Sequence, residues 1–156
     1  MKVLVVDRHP VRVAYLRRVG PYGEPLSRFW QDVAYPWMVS NDLLSCTRYG
    51  VCHDDPDVTE PEKCRYDAAV EITAPLAAPG KAVITTLPGG KCAVTPFRGT
   101  ASQIGAVWNE LLRDWMPSSG LQLDSRPFLE RYSKDSSFDP KTGVFTCELA
   151  MPVVLL

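Results

Sequence analysis

Two segments of the chain follow one plan, and that repetition limits the fold more than any single motif does. From Gly20 to Trp37 the sequence reads GPYGEPLSRFWQDVAYPW, and from Gly99 to Trp115 it reads GTASQIGAVWNELLRDW. In each copy a glycine closes an extended segment. Two tryptophans then follow seven residues apart, Trp30 and Trp37 in the first copy, Trp108 and Trp115 in the second. The first tryptophan lies ten residues after the glycine in one copy and nine in the other. Identity is weak but the architecture matches, which marks a duplicated supersecondary unit.

The flanking sequence extends the plan to strand, helix, strand, strand. Lys2–Val6 is a short β-branched run, and Val11–Val19 alternates as a strand with one buried face does. Pro10, which lacks a ladder donor, belongs at a bulge or an edge. A helix starts near Pro25, and Leu26, Phe29, Trp30, Val33 and Trp37 form its apolar stripe. Pro36 predicts a kink or an end near Tyr35, with the chain continuing irregularly or helically through Leu44. Tyr49–His53 and Lys63–Thr73 read as strands, and TAPLAAPG at 73–80 is the connector between the copies. In the second copy Pro88-Gly89-Gly90 makes a sharp turn between strands at Lys81–Thr86 and Lys91–Phe97. Thr100 is a helix N-cap with Gln103 as its capping-box partner. Ile104, Val107, Trp108, Leu111, Leu112 and Trp115 carry the stripe until Met116–Gly120 stops it. Phe128–Tyr132 follows as an edge strand. Val144–Leu155 is the last strand, with Pro152 at an edge or where its pairing ends. The expectation is one α+β domain over 1–156, built of tandem repeats at about 1–76 and 81–156. Approximate two-fold symmetry would set their antiparallel sheets side by side, with the helices on one face and a cleft between modules.

Composition removes several functions. The 156 residues are 46% apolar and 22% charged, and the formal net charge of −1 offers no basic footprint for nucleic acid. No apolar run is long enough to span a membrane. The apolar start of MKVLVVDRHP stops at Asp7, too soon for a secretory signal, so a cytoplasmic location is expected. Cys46, Cys52, His53 and Cys64 lack the CxxC spacing of a zinc site, and the acidic turn Asp54-Asp55-Pro56-Asp57 lacks the register of a calcium loop. No metal and no cofactor are expected. His9 and His53 have no nucleophile nearby, and neither a G-x-S-x-G nor an H-E-x-x-H motif occurs.

Five phrases occur in a fixed order: PEKCRYDAAV (61–70), LPGGKCAVTPFRG (87–99), W-x6-W-x4-G (108–120), RPFLERY (126–132) and TCELAMPV (146–153). Together they resemble the GyrI-like small-molecule-binding domain, which is also the effector-binding region of AraC-type and related multidrug-responsive regulators. The resemblance runs from Val11 to the C-terminus. It implies two strand–helix–strand–strand modules facing across a pocket that is lined with aromatics and holds one acidic side chain. In this chain Glu148 stands at the matching acidic position, and Tyr132 matches the tyrosine of the family's E-x-Y phrase. Lys91-Cys92 departs from the bulky residue that usually follows the glycine pair. The regulators also carry a helix-turn-helix region, for which this chain has no room, so a stand-alone module is expected. Implied partners are a small-molecule ligand, a transcription factor or gyrase, and a second copy in a homodimer.

The residues themselves leave alternatives open. Alternation in the last strand puts Thr146, Glu148 and Ala150 on one face and Phe145, Cys147, Leu149 and Met151 on the other. The second set reads as core under the helices, and the first would face the cleft. Glu148 is then either an exposed or arginine-paired glutamate or a pocket acid that attracts a cationic amphiphile. Trp30, Trp108 and Trp115 lie on helical stripes, where core packing is the ordinary role, although Trp108 is also a candidate ligand contact. Trp37, beyond the kink at Pro36, is the tryptophan expected to leave the core for the cleft, and Tyr66 belongs to core or cleft. Binding of planar, apolar, often cationic compounds by Glu148, Tyr132, Trp37, Tyr66 and Trp108 ranks first. Second is hydrolysis of strained cyclopropane-containing compounds, with Glu148 as base and Tyr132 as proton donor. Third is a gyrase-inhibitor-like role.

Overall fold

The β-branched runs and the two tryptophan stripes sort into a curled antiparallel sheet with helices packed on one face. The computed structural model describes Met1–Leu156. Its first module runs β2 (Val11–Val19), α1 (Glu24–Phe29), α2 (Tyr35–Ser40), β3 (Arg48–Cys52) and β4 (Arg65–Glu71). The second runs β6 (Gly90–Gly99), α3 (Ile104–Asn109), β8 (Phe128–Tyr132) and β9 (Phe145–Leu155). Each module is led by a further strand, β1 (Leu4–Arg8) or β5 (Val83–Leu87), and the short β7 (Leu121–Leu123) pairs with β9.

Strand order is β1-β6-β9-β8-β3-β4-β2-β5. Read outward from the β3–β8 seam, β3, β4 and β2 are matched by their equivalents β8, β9 and β6. The two lead strands, however, change sides. β1 precedes β2 in the chain but pairs with β6, and β5 precedes β6 but pairs with β2. The two pairings share one register, Leu4↔Val94 to Arg8↔Gly90 and then Val11↔Leu87 to Tyr15↔Val83. β1–β2 and β5–β6 are therefore two bent arms that pair along their length and curl the sheet back on itself. They bend where Pro10 and Pro88 remove ladder donors. At the crossing a Cβ on Gly89 would lie 2.5 Å from the Arg8 carbonyl oxygen and 2.7 Å from the Pro10 nitrogen, so only glycine fits.

The curl gives the sheet two cores. On the outer face Leu26, Trp30, Ala34 and Met38 pack over Ala14, Tyr66, Ala68 and Val70. Leu111 and Met116 pack over Ala93, Met151 and Val153, while Phe97, Cys147 and Leu149 lie under Ile104, Val107 and Trp108. On the inner face Val13, Tyr49, Val51, Ala69 and Leu87 form one cluster and Cys92, Val94 and Ala150 another, with Leu129 touching both.

Both helices solve one problem in the same way. Tyr35 N–H reaches five residues back to the Trp30 carbonyl, Met116 N–H does the same to Leu111, and a proline follows each, Pro36 and Pro117. A proline ring collides with the carbonyl four residues back, and the wider π-helical turns Trp30–Ala34 and Glu110–Trp115 relieve that collision. Of the alternatives at Tyr35, the helix takes continuation, and it runs on to Ser40. Half of the expected capping box forms, with Gln103 Oε1 accepting from the Thr100 N–H at 2.9 Å.

Two strand positions differ from expectation. Phe128–Tyr132 is central, paired with β3 on one side and β9 on the other, because Pro127 lies before the strand and takes no ladder position. β9 is central too. Pro152 falls in the gap between β8, whose pairing ends at Ala150, and β7, whose pairing starts at Val153, so its missing donor is not needed. No helix is long and apolar enough to cross a membrane.

Thermal melts of two glycine variants test this account. Gly89→Ala forces a Cβ onto backbone atoms and should lower stability by about 1–3 kcal/mol. Gly105, exposed inside α3 with open space around it, should accept alanine with a gain of up to about 1 kcal/mol.

Candidate functional site

The helices cover β2/β4 and β6/β9 and leave the seam between β3 and β8 as the floor of a cleft of about 800 Å³. Strand alternation decides which side chains reach it. Arg48 and Cys52 face it from β3, and Phe128, Glu130 and Tyr132 face it from β8, while Leu129 between them anchors the floor in the inner core. Leu26, Trp30 and Tyr35 form one wall, and Ile104, Trp108 and Leu112 the other. The aromatic rings continue from wall to floor: Trp30 lies 5.6 Å from Tyr35 and 5.6 Å from Tyr132, and Trp108 lies 5.2 Å from Phe128.

Glu130 is 5% exposed and has no cationic partner. Its Oε1 accepts from the Tyr66 hydroxyl at 2.7 Å and the Tyr132 hydroxyl at 2.9 Å, and Trp30 Nε1 donates to the Tyr66 oxygen at 2.8 Å. Oε2 meets only the Cys52 thiol, at 3.9 Å. Burial raises the Glu130 carboxyl above its ordinary pKa, and the two tyrosine hydrogen bonds offset only part of that. Burial and the Glu130 charge push Tyr66, Tyr132 and Cys52 well up, so the hydroxyls remain donors at neutral pH. This cluster exists because residue 50, directly opposite Glu130, is glycine. A Cβ there would fall on the Tyr66 hydroxyl and on Glu130 Oε1.

At the rim Asp54 holds Arg65 at 2.9 Å, and on the inner face of the sheet Asp67 holds Arg17 at 2.7 Å and the rim residue His53 at 2.6 Å. Burial works to raise the Asp67 carboxyl, but His53 and Arg17 outweigh it and keep it below the usual range.

Of the residues expected at a site, Tyr66, Tyr132 and Trp108 meet in this cleft, joined by Trp30. Trp37 does not line it. Its Nε1 donates to the Pro79 carbonyl at 3.1 Å, tying the helix to the connector between the modules. Glu148 does not line it either. It lies opposite Arg131 on the inner side of the sheet and is bound to Arg8 at 2.6 Å, the arginine-paired alternative. The physical reason is one of face: the cleft opens on the same side as the helices, so residues of the Cys147/Leu149 parity face outward and Glu148 faces inward. Glu148 and Tyr132 are thus on opposite faces, and the acid–tyrosine pair expected for hydrolysis does not form between them. The acid beside Tyr132 is Glu130. The E-x-Y spacing carried that signal, since residues two apart on a strand share a face.

The sequence and fold comparisons agree with this architecture. The GyrI-like small molecule binding domain matches residues 1–154. YosT, a prophage-derived Bacillus subtilis protein named as a transcriptional regulator, is 27% identical over 154 residues, 98% of this chain and 99% of that protein. A protein of Cronobacter sakazakii named DNA gyrase inhibitor is 26% identical over 145 residues, 91% of this chain and 90% of its own. Among solved structures, SAV2435 bound to tetraphenylphosphonium superposes with a TM-score of 0.67 at 20% identity, covering 99% of this chain and 94% of that one. With the family pattern spanning nearly every residue, the chain belongs to the GyrI-like small-molecule-binding family.

Proposed function

We propose that this cleft binds a flat, apolar compound bearing positive charge, held between the Trp30/Tyr132 and Trp108/Phe128 rings above Glu130. The observation that carries this reading is a buried carboxylate with no cation of its own and one oxygen, Oε2, met only by a thiol. Burying such a group costs several kcal/mol unless a partner arrives, and a ligand cation is that partner. Each aromatic face adds about 0.5–2 kcal/mol for a cation held over it. The cleft volume suits a polycyclic molecule, and a structural neighbour of the same fold was solved with a lipophilic cation, tetraphenylphosphonium. The regulator and gyrase-inhibitor names of the relatives suggest that the ligand-bound state is read by a protein partner.

Tryptophan-quenching titrations with a planar cationic dye test the reading. Glu130→Gln should weaken binding at least tenfold, or about 1.4 kcal/mol. Unchanged affinity in this variant would remove the carboxylate from the site. Gly50→Ala should weaken binding as well, by displacing the Tyr66–Glu130 pair.

Linkage gives two pH predictions. Cation affinity in the wild type should fall about tenfold per unit once the pH is below the Glu130 pKa. The free protein should behave oppositely. Because the native Glu130 pKa lies above the unfolded one, the native state holds the extra proton between them, and stability falls as pH rises through that window. Glu130→Gln cannot ionise, so it should flatten that slope in thermal melts and raise Tm at neutral pH.

A further inference from the structure

The floor of the cleft holds a second charge without a counter-ion. Three arginines line the cleft. Arg65 is bound to Asp54 and Arg126 to Asp124, whereas Arg48 makes no ion pair. The carboxylates sort the same way. Asp54, Asp57 and Asp124 each have an arginine, Asp55 is exposed at the rim, and Glu130 alone is buried without one. The cleft therefore contains one buried unpaired anion and one unpaired cation. They stand on adjacent strands, Arg48 opposite Tyr132 and Glu130 opposite Gly50, about 7 Å apart along the strands. They do not pair with each other, since Arg48 is turned to Tyr35 and Glu130 to Tyr66 and Tyr132, and a fused-ring molecule is long enough to meet both.

Arg48 is also held in place. Its guanidinium lies over the Tyr35 ring, 5.6 Å from the centroid, and Nη1 donates to the Tyr35 hydroxyl at 3.3 Å. Nη2 makes no hydrogen bond, while Nε is buried with no acceptor and lies out of a ligand's reach. A guanidinium fixed on a ring with its Nη2 end unpartnered suits a carboxylate or another oxyanion. It also disfavours a simple lipophilic cation, because any such ligand shares the cleft with a second positive charge.

We propose that the ligands of this cleft are amphoteric aromatics, with a cationic group seated at Glu130 and a carboxylate or equivalent oxyanion taken by the unpartnered Nη2 end of Arg48. This rests on the cation reading of Glu130 and narrows the ligand class within it.

The zwitterionic dye rhodamine B and its cationic ethyl ester make the test, because they differ only in the carboxylate. The wild type should bind rhodamine B at least tenfold more tightly than the ester. Arg48→Met should abolish that preference, weakening rhodamine B tenfold or more while leaving the ester unchanged or tighter. The ester serves as the internal control for folding. Arg48→Lys, which keeps the charge and loses the fork, should recover part of the preference. Equal loss of both dyes in Arg48→Met would make Arg48 a packing residue for Tyr35 and overturn the proposal. A wild type that binds the ester as tightly as rhodamine B would also overturn it, and if both then weaken in Glu130→Gln, the cation reading survives alone. Failure of both dyes to bind the wild type would sink both.

Discussion

A carboxylate buried at the junction of two equivalent strands sets the requirements for everything around it. Without a cation, Glu130 needs donors, and it has two tyrosine hydroxyls on one oxygen. Those hydroxyls need fixed rings. Trp30 orients Tyr66 by hydrogen bond and packs against Tyr132. The group then needs room, which Gly50 supplies by having no side chain. Substitution of Tyr66, Tyr132, Trp30 or Gly50 leaves the Glu130 carboxylate without a donor or without room, and a half-satisfied buried network costs more than an apolar one.

Holding such a group steady requires a rigid floor, and the crossing of the two bent arms provides it. Because β1 pairs with β6 and β5 with β2, neither half of the sheet stands alone. The curl encloses an inner apolar core into which Leu129 is inserted between Phe128 and Glu130. The cleft face of β8 is thus backed by packed side chains. Glu148 serves that interior side, where Arg8 neutralises it near the point at which the arms bend. A glutamate in an apolar strand can be structural.

In the proposed reading, the walls and the floor would divide the work of recognition. The walls offer ring faces that accept many flat molecules, since stacking and cation–π contacts are tolerant of detail. The floor offers two separated charges, which is a far narrower specification. Selectivity on that reading would come from desolvated groups that a wrong ligand leaves unpaired.

Much of the fold was legible in the linear pattern. The tryptophan echo, the helical stripes and the alternating runs marked out two strand–helix–strand–strand units, and the ordered phrases named their family. These are local features, set by backbone period and by which side chains must be buried. Tyr66, Tyr132 and Trp108 could be nominated on the same grounds. Glu130 shares the face of Tyr132 through the E-x-Y spacing and was legible there. Glu148 and Trp37 could not be placed correctly, because which face of a strand opens on the cleft depends on where the helices land, and that is decided between elements. The same holds for the crossing of β1 and β5, for Gly50, and for Arg48, whose lack of a partner is visible only once every nearby carboxylate has been placed. Periodicity along the chain determines which residues share a face, whereas only packing across the sheet decides what that face meets.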